Sequence, residues 1–332
     1  MDEALTTKYS IVFVIHGDGD YLYHDSHGKK HTSDNEILKK AKRIAKQNPE
    51  AEVFIFHQKP KKNRLFIFPI KDGEFFYYRN GKPIANKLYW RGQEQRYYDN
   101  EVELYEKYKV QAQHDVSKIF LYFGHEIPGN SLPGYDASYP ERIFSINNFA
   151  NGLNKFIQNS SKFDLIILST CYGGTPYTIG KLTSYAKLII ASPENLHLSH
   201  FDILSLERLD LNYLKKDTHA FAVKFAYNAF ERLSESVNTA ISIAVYDAAI
   251  VNEYISSVNK YNDSDIISYE ENSTVTMSKT ERCDCFEIPN FRLPGISNGV
   301  NVFYRSPLFG RAKNKINHSG WECLKIIEVK DN

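Results

Sequence analysis

A histidine and a cysteine each follow a short apolar run in the middle of the chain. His125 is separated by one residue from the run 118–123, and Cys171 by one residue from the run 164–169. A thiol beside an imidazole is the minimum equipment for nucleophilic acyl transfer, because the imidazole takes the thiol proton and later protonates the leaving amine. Gly173 and Gly174 follow the cysteine and would let a substrate backbone approach closely.

Six apolar runs, rich in β-branched and aromatic residues, are spread along the chain. They span 10–15, 52–56, 118–123, 164–169, 187–191 and 240–246. Runs of this length without alternation are typical of strands buried on both faces. Helical patterns lie between them, over 33–48, 145–159, 178–185, 218–234 and 248–259, and Ser33 is the expected N-cap of the first. This alternation predicts an α/β fold with a mainly parallel central sheet.

The order of the elements predicts that His125 and Cys171 meet at one edge of this sheet. Ligands of open α/β sheets gather at the carboxyl ends of the parallel strands, and both residues stand at such ends. One crossover helix joins the two runs, so their strands can be neighbours about 4.8 Å apart. The alternative is structural: a small buried thiol and a histidine satisfied by local hydrogen bonds. The joint placement at consecutive strand ends favours the catalytic interpretation.

Two segments depart from the strand–helix rhythm. The segment 64–98 is rich in tyrosine and phenylalanine and carries Asp72-Gly73 and Asn80-Gly81, so we expect a β-hairpin insertion with turns at those dipeptides. The tail, 263–332, is polar and then rich in proline and glycine, with a strand expected over 300–304. It is interpreted as a C-terminal subdomain or an extension of the sheet, following a main domain over 8–262.

The composition excludes several classes of protein. Lys+Arg number 41 against 40 Asp+Glu, a formal charge of +1, so a general electrostatic attraction to nucleic acid is not indicated. No apolar run reaches the roughly 20 residues that cross a bilayer. The first residues lack a signal-peptide pattern, so we expect a cytoplasmic protein. Four cysteines in a chain of 332 residues do not make a disulfide framework and favour a reducing compartment.

Six motifs, in matching order across about 9–307, carry a resemblance to a known family. They are IVFVIHGDGDYL, IFLYFGHEIPG, FDLIILSTCYGG, LIIASPENLHLSHFD, TAISIAVYDAAIVNEYISSV and NGVNVFYRSP. The series resembles the clostripain family of cysteine peptidases, within the caspase–gingipain–legumain–separase group. The resemblance implies a caspase-like three-layer sandwich and a cysteine endopeptidase that acts on proteins or peptides.

The resemblance also implies roles for individual residues. His125 would be the general base and acid and Cys171 the nucleophile, with an oxyanion hole formed by the backbone N–H groups of Cys171 and Glu126. Two positions depart from the family. Glu126 stands where the family usually has glycine, and Ser169 stands where it favours an acidic residue that helps to form a pocket for basic side chains.

A preference for Arg or Lys before the scissile bond therefore needs another acid. Glu194 or Asp202 could supply it, and Asp202 is favoured because the family carries a pocket aspartate in that loop; it could instead cap a helix. Relatives are often activated by self-cleavage between the His and Cys motifs, where this chain has an exposed-looking segment with Arg142. Cleavage after Arg142 is the corresponding hypothesis.

Other interpretations remain open. The main alternative function is a catalytically inactive pseudopeptidase that binds a peptide or protein partner, which Glu126 and Ser169 favour. No cofactor is expected, although Asp18, Asp20 and Asp25 could hold Ca²⁺. A zinc site at Cys283, Cys285, His318 and Cys323 is disfavoured by the C-x-C spacing. A regulatory protein partner is plausible, and neither nucleic acid nor a membrane is expected to bind.

Overall fold

A nine-stranded mixed sheet forms the centre of the molecule. The computed structural model describes residues 7–25, 27–64, 68–91, 97–110, 116–129, 134–157, 161–196, 217–252, 287–289, 299–310 and 325–327. In chain order the strands are β1 (Tyr9–His16), β2 (Leu22–His24), β3 (Lys30–Thr32), β4 (Ala51–Gln58), β5 (Lys62–Arg64), β6 (Phe68–Ile70), β7 (Gly73–Arg79), β8 (Lys82–Tyr89), β9 (Ser117–Phe123), β10 (Phe163–Ser169), β11 (Ala186–Ala191), β12 (Ile241–Asp247), β13 (Glu287–Pro289), β14 (Val300–Arg305) and β15 (Lys325–Ile327).

The strand order in the central sheet is β14-β12-β11-β10-β9-β1-β4-β7-β8. The five strands in the middle, from β11 to β4, run parallel, whereas β12 and β14 on one side and β7 and β8 on the other are antiparallel to their neighbours. All eight residues of β1 are buried, as expected for a strand covered on both faces. All six apolar runs of the sequence are strands of this sheet.

Helices cover both faces of the sheet. They are α1 (Ser33–Gln47), α2 (Asp99–Tyr108), α3 (Ile146–Ile157), α4 (Pro176–Leu182) and α5 (Thr218–Ser236), and residues 248–252 form a further helical turn after β12. Apolar side chains of α1 and α5 pack into one core, and those of α2, α3 and α4 into the other. The result is the predicted three-layer α/β sandwich. Within the described residues, no helix combines the length and apolar character needed to cross a membrane.

The tyrosine-rich segment extends the sheet at one end. β7 pairs with β4, and β8 pairs with β7 through a turn in which Asn80 and Gly81 both have positive φ, 53° and 69°. This is the turn predicted for Asn-Gly. The turn predicted at Asp72-Gly73 is wrong, because β6 pairs with β5 in a separate small sheet, while Gly73 begins β7. A Cβ on Gly73 would lie 2.4 Å from the Tyr89 ring.

The other end of the sheet is completed by β14, which pairs with β12 and comes from the tail 263–332. β13 and β15 pair with each other. The expected domain boundary at residue 262 lies outside the described residues.

One local prediction is wrong and one helix was not predicted, each for a physical reason. α1 begins with Thr32 as its N-cap, and the Ser33 hydroxyl donates to the Tyr21 carbonyl instead of capping the helix. α2 was missed because it buries only Glu101 and Tyr105, which gives almost no apolar periodicity.

Candidate active site

His125 and Cys171 stand at the same height on neighbouring strands. Phe123 of β9 pairs with Ser169 of β10, and each candidate residue follows two positions later. The Gly124 N–H donates to the Ser169 carbonyl at 3.3 Å and keeps the two strand ends together. The structure therefore places both residues at the carboxyl edge of adjacent parallel strands.

The His125 ring is enclosed by two tyrosines and a carbonyl group. Tyr21 stacks on it with a centroid distance of 4.5 Å and an interplanar angle of 21°, and Tyr135 lies 5.0 Å away at 38°. The backbone carbonyl of Asp20 accepts a hydrogen bond from the ring. Burial lowers the pKa of His125 below its ordinary value, although the Asp20 carbonyl opposes this shift. The imidazole is therefore neutral at neutral pH and can accept a proton.

The Cys171 thiol is half-buried and faces the segment that follows β11. It donates to the Asn195 side-chain oxygen at 2.9 Å, and the Leu196 N–H donates to the sulfur at 3.3 Å. Burial raises the pKa of Cys171; the Leu196 N–H opposes the rise, and the nearby charge of Glu126 adds to it. The pKa shifts of both groups consequently favour a neutral thiol and a neutral imidazole in the resting state.

Tyr135 is a further aromatic neighbour of the site. Its ring contacts His125, and its pKa is raised by burial, then by the charges of Glu126 and Cys171. Within the described residues, no hydrogen bond joins the Cys171 sulfur to the His125 ring. Catalytic hydrogen bonds often form only once substrate is bound, so the separation in this state is compatible with a working pair.

The backbone donors of the expected oxyanion hole are available. Within the described residues, no carbonyl accepts a hydrogen bond from the N–H of Glu126 or of Cys171. The turn after the cysteine is fixed on the neighbouring loop, because Tyr172 donates its N–H to the Glu194 carbonyl at 3.1 Å. Tyr172 has a φ of 52°, the left-handed conformation found in tight or strained turns at functional sites.

The residues predicted for a substrate pocket are only partly placed. Ser169 is fully buried at the end of β10. Glu194 is 7% exposed and lies near Tyr304 of β14; burial and the Glu194 charge raise the pKa of that tyrosine to about 12. Asp202 lies outside the described residues. Glu194 is therefore the one predicted pocket acid that the described residues include.

In the segment expected to be exposed, Tyr135, Ala137, Pro140 and Glu141 are exposed, whereas the Arg142 side chain is engaged by neighbours. The Arg142 guanidinium lies 3.2 Å from Asp136, is 10% exposed and stacks over Tyr97 at 4.7 Å. Asp136 also pairs with Arg91, which in turn pairs with Asp18 at 2.7 Å. Sequence alone could not show this, because residues far apart in the chain meet in the buried ion cluster.

The three aspartates considered for Ca²⁺ have different partners. Asp18 is fully buried against Arg91, Asp20 accepts from the Leu22 N–H, and Asp25 pairs with His31. In the described part of the chain, no three His, Cys, Asp or Glu side chains come together as metal ligands. The residues considered for zinc, Cys283, Cys285, His318 and Cys323, lie outside the described residues.

A pocket opens at the carboxyl edge of the sheet on the side of His125. Its lining includes His125, Glu126, Tyr135, Tyr97 and Arg142. The lining combines one candidate catalytic side chain with aromatic and charged groups.

No family model and no curated protein matches the sequence. A secreted C11 cysteine protease from Bacteroides thetaiotaomicron, solved with an irreversible peptide inhibitor, matches with a TM-score of 0.54 and 13% identity, over 78% of this chain and 71% of that one. An inactive zymogen C11 protease from Parabacteroides distasonis matches with a TM-score of 0.55 and 14% identity, over 88% of this chain and 75% of that one. The fold is that of the C11 cysteine proteases.

This likeness confirms the predicted caspase-like architecture and, at the level of the fold, the resemblance to the clostripain family. The likeness concerns the fold and assigns no function to an individual side chain.

Sequence reasoning missed the residues that surround the pair. Asn195 and Leu196 follow the end of β11, a position that the strand-end rule could have flagged. Tyr21 and Tyr135 gave no local signal, because a tyrosine in a turn has the same sequence pattern whether it contacts a catalytic side chain or solvent.

Proposed function

We propose that this protein is a cysteine endopeptidase in which Cys171 is the nucleophile and His125 the general base and acid. The observation that carries the proposal is the matched register of β9 and β10, which sets a thiol and a neutral imidazole two residues beyond paired positions. It is supported by the C11-like fold, in which the solved proteins are described as cysteine proteases.

In the proposed reaction, the Cys171 thiol transfers its proton to His125 and attacks the scissile carbonyl carbon. The carbonyl π electrons move to oxygen, and the N–H groups of Cys171 and Glu126 would stabilise the resulting oxyanion. When the intermediate collapses, the C–N bond breaks and the leaving amine takes the proton from His125. A thioester acyl-enzyme remains.

Water then completes the cycle. His125, neutral again, takes a proton from water as the oxygen attacks the thioester carbonyl, and the sulfur leaves and is reprotonated from His125. The lowered pKa of His125 keeps it in the base form required by both attacks. The raised pKa of Cys171 means that the proton transfer must accompany substrate binding or attack, since a free thiolate is disfavoured at rest.

The substrates are proposed to be proteins or peptides, with Arg or Lys before the cleaved bond. Asp202, or alternatively Glu194, would supply the charge for this preference; Glu194 lies on the loop whose carbonyl holds the cysteine turn, and it is 7% exposed. Ser169 contributes no charge. A protein regulator and independence from cofactors are further parts of the proposal.

Self-cleavage after Arg142 is proposed as an activation step that first requires release of the segment. The Arg142 side chain is engaged by Asp136 and Tyr97, so an intact loop cannot present it to a cleft. N-terminal sequencing of an active preparation should find a new terminus at Ile143. An active enzyme with an intact 134–144 segment would refute the activation step alone.

The test of the main proposal is a fluorogenic peptide panel with Arg, Lys, Asp or Asn before the reporter. Wild type should cleave at least one substrate, with the basic pair preferred, and Cys171→Ala should be inactive. Cys283→Ala is the matched thiol control and should retain wild-type activity. Equal inactivity of wild type and Cys171→Ala, with Ca²⁺ and after incubation that allows self-processing, would refute the proposed peptidase activity.

A pseudopeptidase is the second candidate, favoured by one observation. The thiol donates to Asn195 and lies near Glu126, and both contacts keep it protonated. Iodoacetamide distinguishes the two functions. In an enzyme, Cys171 is alkylated faster than Cys283, Cys285 or Cys323, and His125→Gln slows that reaction; in a pseudopeptidase, His125→Gln leaves the rate unchanged.

A further inference from the structure

Tyr21 is buried directly behind the proposed general base. It is 2% exposed and lies beyond the end of β1, while His125 follows β9, the neighbouring strand. Its ring stacks on the His125 imidazole, and its hydroxyl oxygen accepts a hydrogen bond from the His125 backbone N–H at 3.2 Å. One side chain thus holds both the ring and the backbone of His125.

The hydroxyl group of Tyr21 has a second partner. It lies 2.7 Å from His16 Nδ1 and donates its proton to that nitrogen when His16 is the Nε2–H tautomer. This assignment requires a neutral His16 that carries its proton on Nε2. Burial, with Arg91 adding to it, holds the pKa of His16 well below its usual range, which agrees with the neutral form. The Tyr21 hydroxyl is therefore held by two neighbours, the His125 backbone N–H and His16 Nδ1.

The backbone next to Tyr21 encloses His125 from a further direction. The Asp20 carbonyl accepts from the imidazole, and a Cβ on Gly19 would lie 2.9 Å from the His125 Cδ2 atom. The three consecutive residues Gly19, Asp20 and Tyr21 thus contact one imidazole by close packing, a hydrogen bond and a ring stack. Tyr21 itself packs on Phe123 of β9 at 5.4 Å, so its ring cannot easily move away.

We propose that Tyr21 is a positioning residue for the reaction: it sets the plane of the His125 imidazole and the direction of the peptide that leads to the Glu126 N–H. This inference rests on the proposed function and deepens it. Tyr21 need not touch substrate. It acts through His125. The His125 ring must point toward the Cys171 sulfur and the leaving amine, and the His125 backbone begins the turn that carries the Glu126 N–H, one of the proposed oxyanion donors.

The chain offers a matched control two residues away. Tyr23 stacks on His31 at 5.0 Å and donates its hydroxyl proton to Glu36 at 2.9 Å. It is thus a tyrosine of the same segment with the same two kinds of contact, but on a histidine that the proposed chemistry does not use. Because Tyr21 is buried and Tyr23 only half-buried, the stability of each variant is measured before its kinetics are compared.

The experiment compares Tyr21→Phe, Tyr21→Leu and Tyr23→Phe, each checked for folding by denaturant titration. On a peptide that wild type cleaves, Tyr21→Phe should lower kcat on the order of 10-fold and Tyr21→Leu about 100-fold, with KM within about twofold, because geometry and not ground-state binding is lost. Tyr23→Phe should change neither constant by more than about twofold. An unchanged kcat in Tyr21→Phe and Tyr21→Leu overturns the inference.

A second measurement does not depend on turnover. In Cys171→Ala protein labelled at histidine Cε1, Tyr21→Leu should change the ring-current shift of the His125 signal, to which Tyr135 also contributes, whereas Tyr23→Phe should leave that signal in place. A His125 signal that is unchanged in Tyr21→Leu overturns the inference even if the protein cleaves peptides. A changed signal in a protein that cleaves nothing supports the positioning by Tyr21 and counts against the proposed peptidase instead.

Discussion

Two tyrosine–histidine stacks lie side by side in the chain and differ in what surrounds them. Tyr21 stacks on His125 at 4.5 Å and 21°, and Tyr23 stacks on His31 at 5.0 Å and 17°. The first pair is inside the carboxyl edge of the sheet. The second is on the β2–β3 hairpin, where Leu22 and other neighbours are exposed.

The difference lies in the hydrogen-bond partners of the imidazole. His31 lies 2.8 Å from the Asp25 carboxylate and 2.5 Å from that of Glu36, and these hydrogen bonds raise its pKa. His125 has a carbonyl group as partner, and burial lowers its pKa. The ring stack alone therefore does not decide the protonation state. Two carboxylates raise the pKa of His31, whereas burial outweighs the charge of Asp20 and lowers the pKa of His125.

The largest expected contrast is catalytic. His125→Ala should lower kcat/KM by about 10²–10⁴-fold, the range for loss of a general acid–base group. His31→Ala should leave it within about twofold, because its partners Asp25 and Glu36 lie on the hairpin and in the first turn of α1, where the proposed chemistry uses no side chain. Peptide hydrolysis under saturating and subsaturating substrate checks both variants. Similar losses in the two would mean that the hairpin is part of the active site and the comparison is wrong.

Substitutions of two glycines, one near each histidine, test the same contrast. Gly19→Ala should reduce kcat/KM on the order of 10-fold, because the new methyl would press on the His125 ring, 2.9 Å away. Gly28→Ala in the hairpin meets no neighbouring atom but has a φ of 75°, so it should cost about 1 kcal/mol of stability without affecting kcat/KM. Denaturant titrations and kinetics of both variants measure these effects. A kinetic defect confined to Gly28→Ala would contradict the assignment.

The protonation states can be measured directly. In a histidine-labelled Cys171→Ala protein, the NMR titration of His125 should have its midpoint below about 6.5 and that of His31 above it, 6.5 being the ordinary histidine value. Asp25→Asn should lower the His31 midpoint and leave the His125 midpoint in place. Reversed midpoints would remove the physical basis of the comparison.

The smallest expected effect is on stability against pH. The raised pKa of His31 adds stability below about pH 6.5 that is lost as the pH rises through the folded value. The pKa of Asp25, lowered to about 2 by its hydrogen bond to His31, adds stability above about pH 4 that is lost as the pH falls toward 2. Asp25→Asn should therefore lower Tm most between about pH 4 and 6.5, and less with added salt because the pair is partly exposed. A Tm difference that is constant from pH 3 to 8 would contradict this account.

The sequence alone predicted the layered α/β architecture, the strands of the parallel sheet and the common edge on which His125 and Cys171 stand. These features follow from local patterns: continuous apolar runs indicate buried strands, and the residues after parallel strands share one edge. The Asn80-Gly81 turn was equally predictable from the sequence, since that dipeptide favours positive φ at both positions.

Only the tertiary structure decided how the two candidate residues are surrounded. Tyr21 and His125 are 104 positions apart, and Asp18 and Arg91 are 73 apart. Contacts at such separations depend on how the turns at the sheet edge pack together, which no periodicity encodes. For the same reason the burial of Arg142 and the partners of the Cys171 thiol were not predictable. The sequence pattern determines which helix, strand or loop a residue belongs to, whereas its electrostatic environment is set by distant segments of the chain that meet in space.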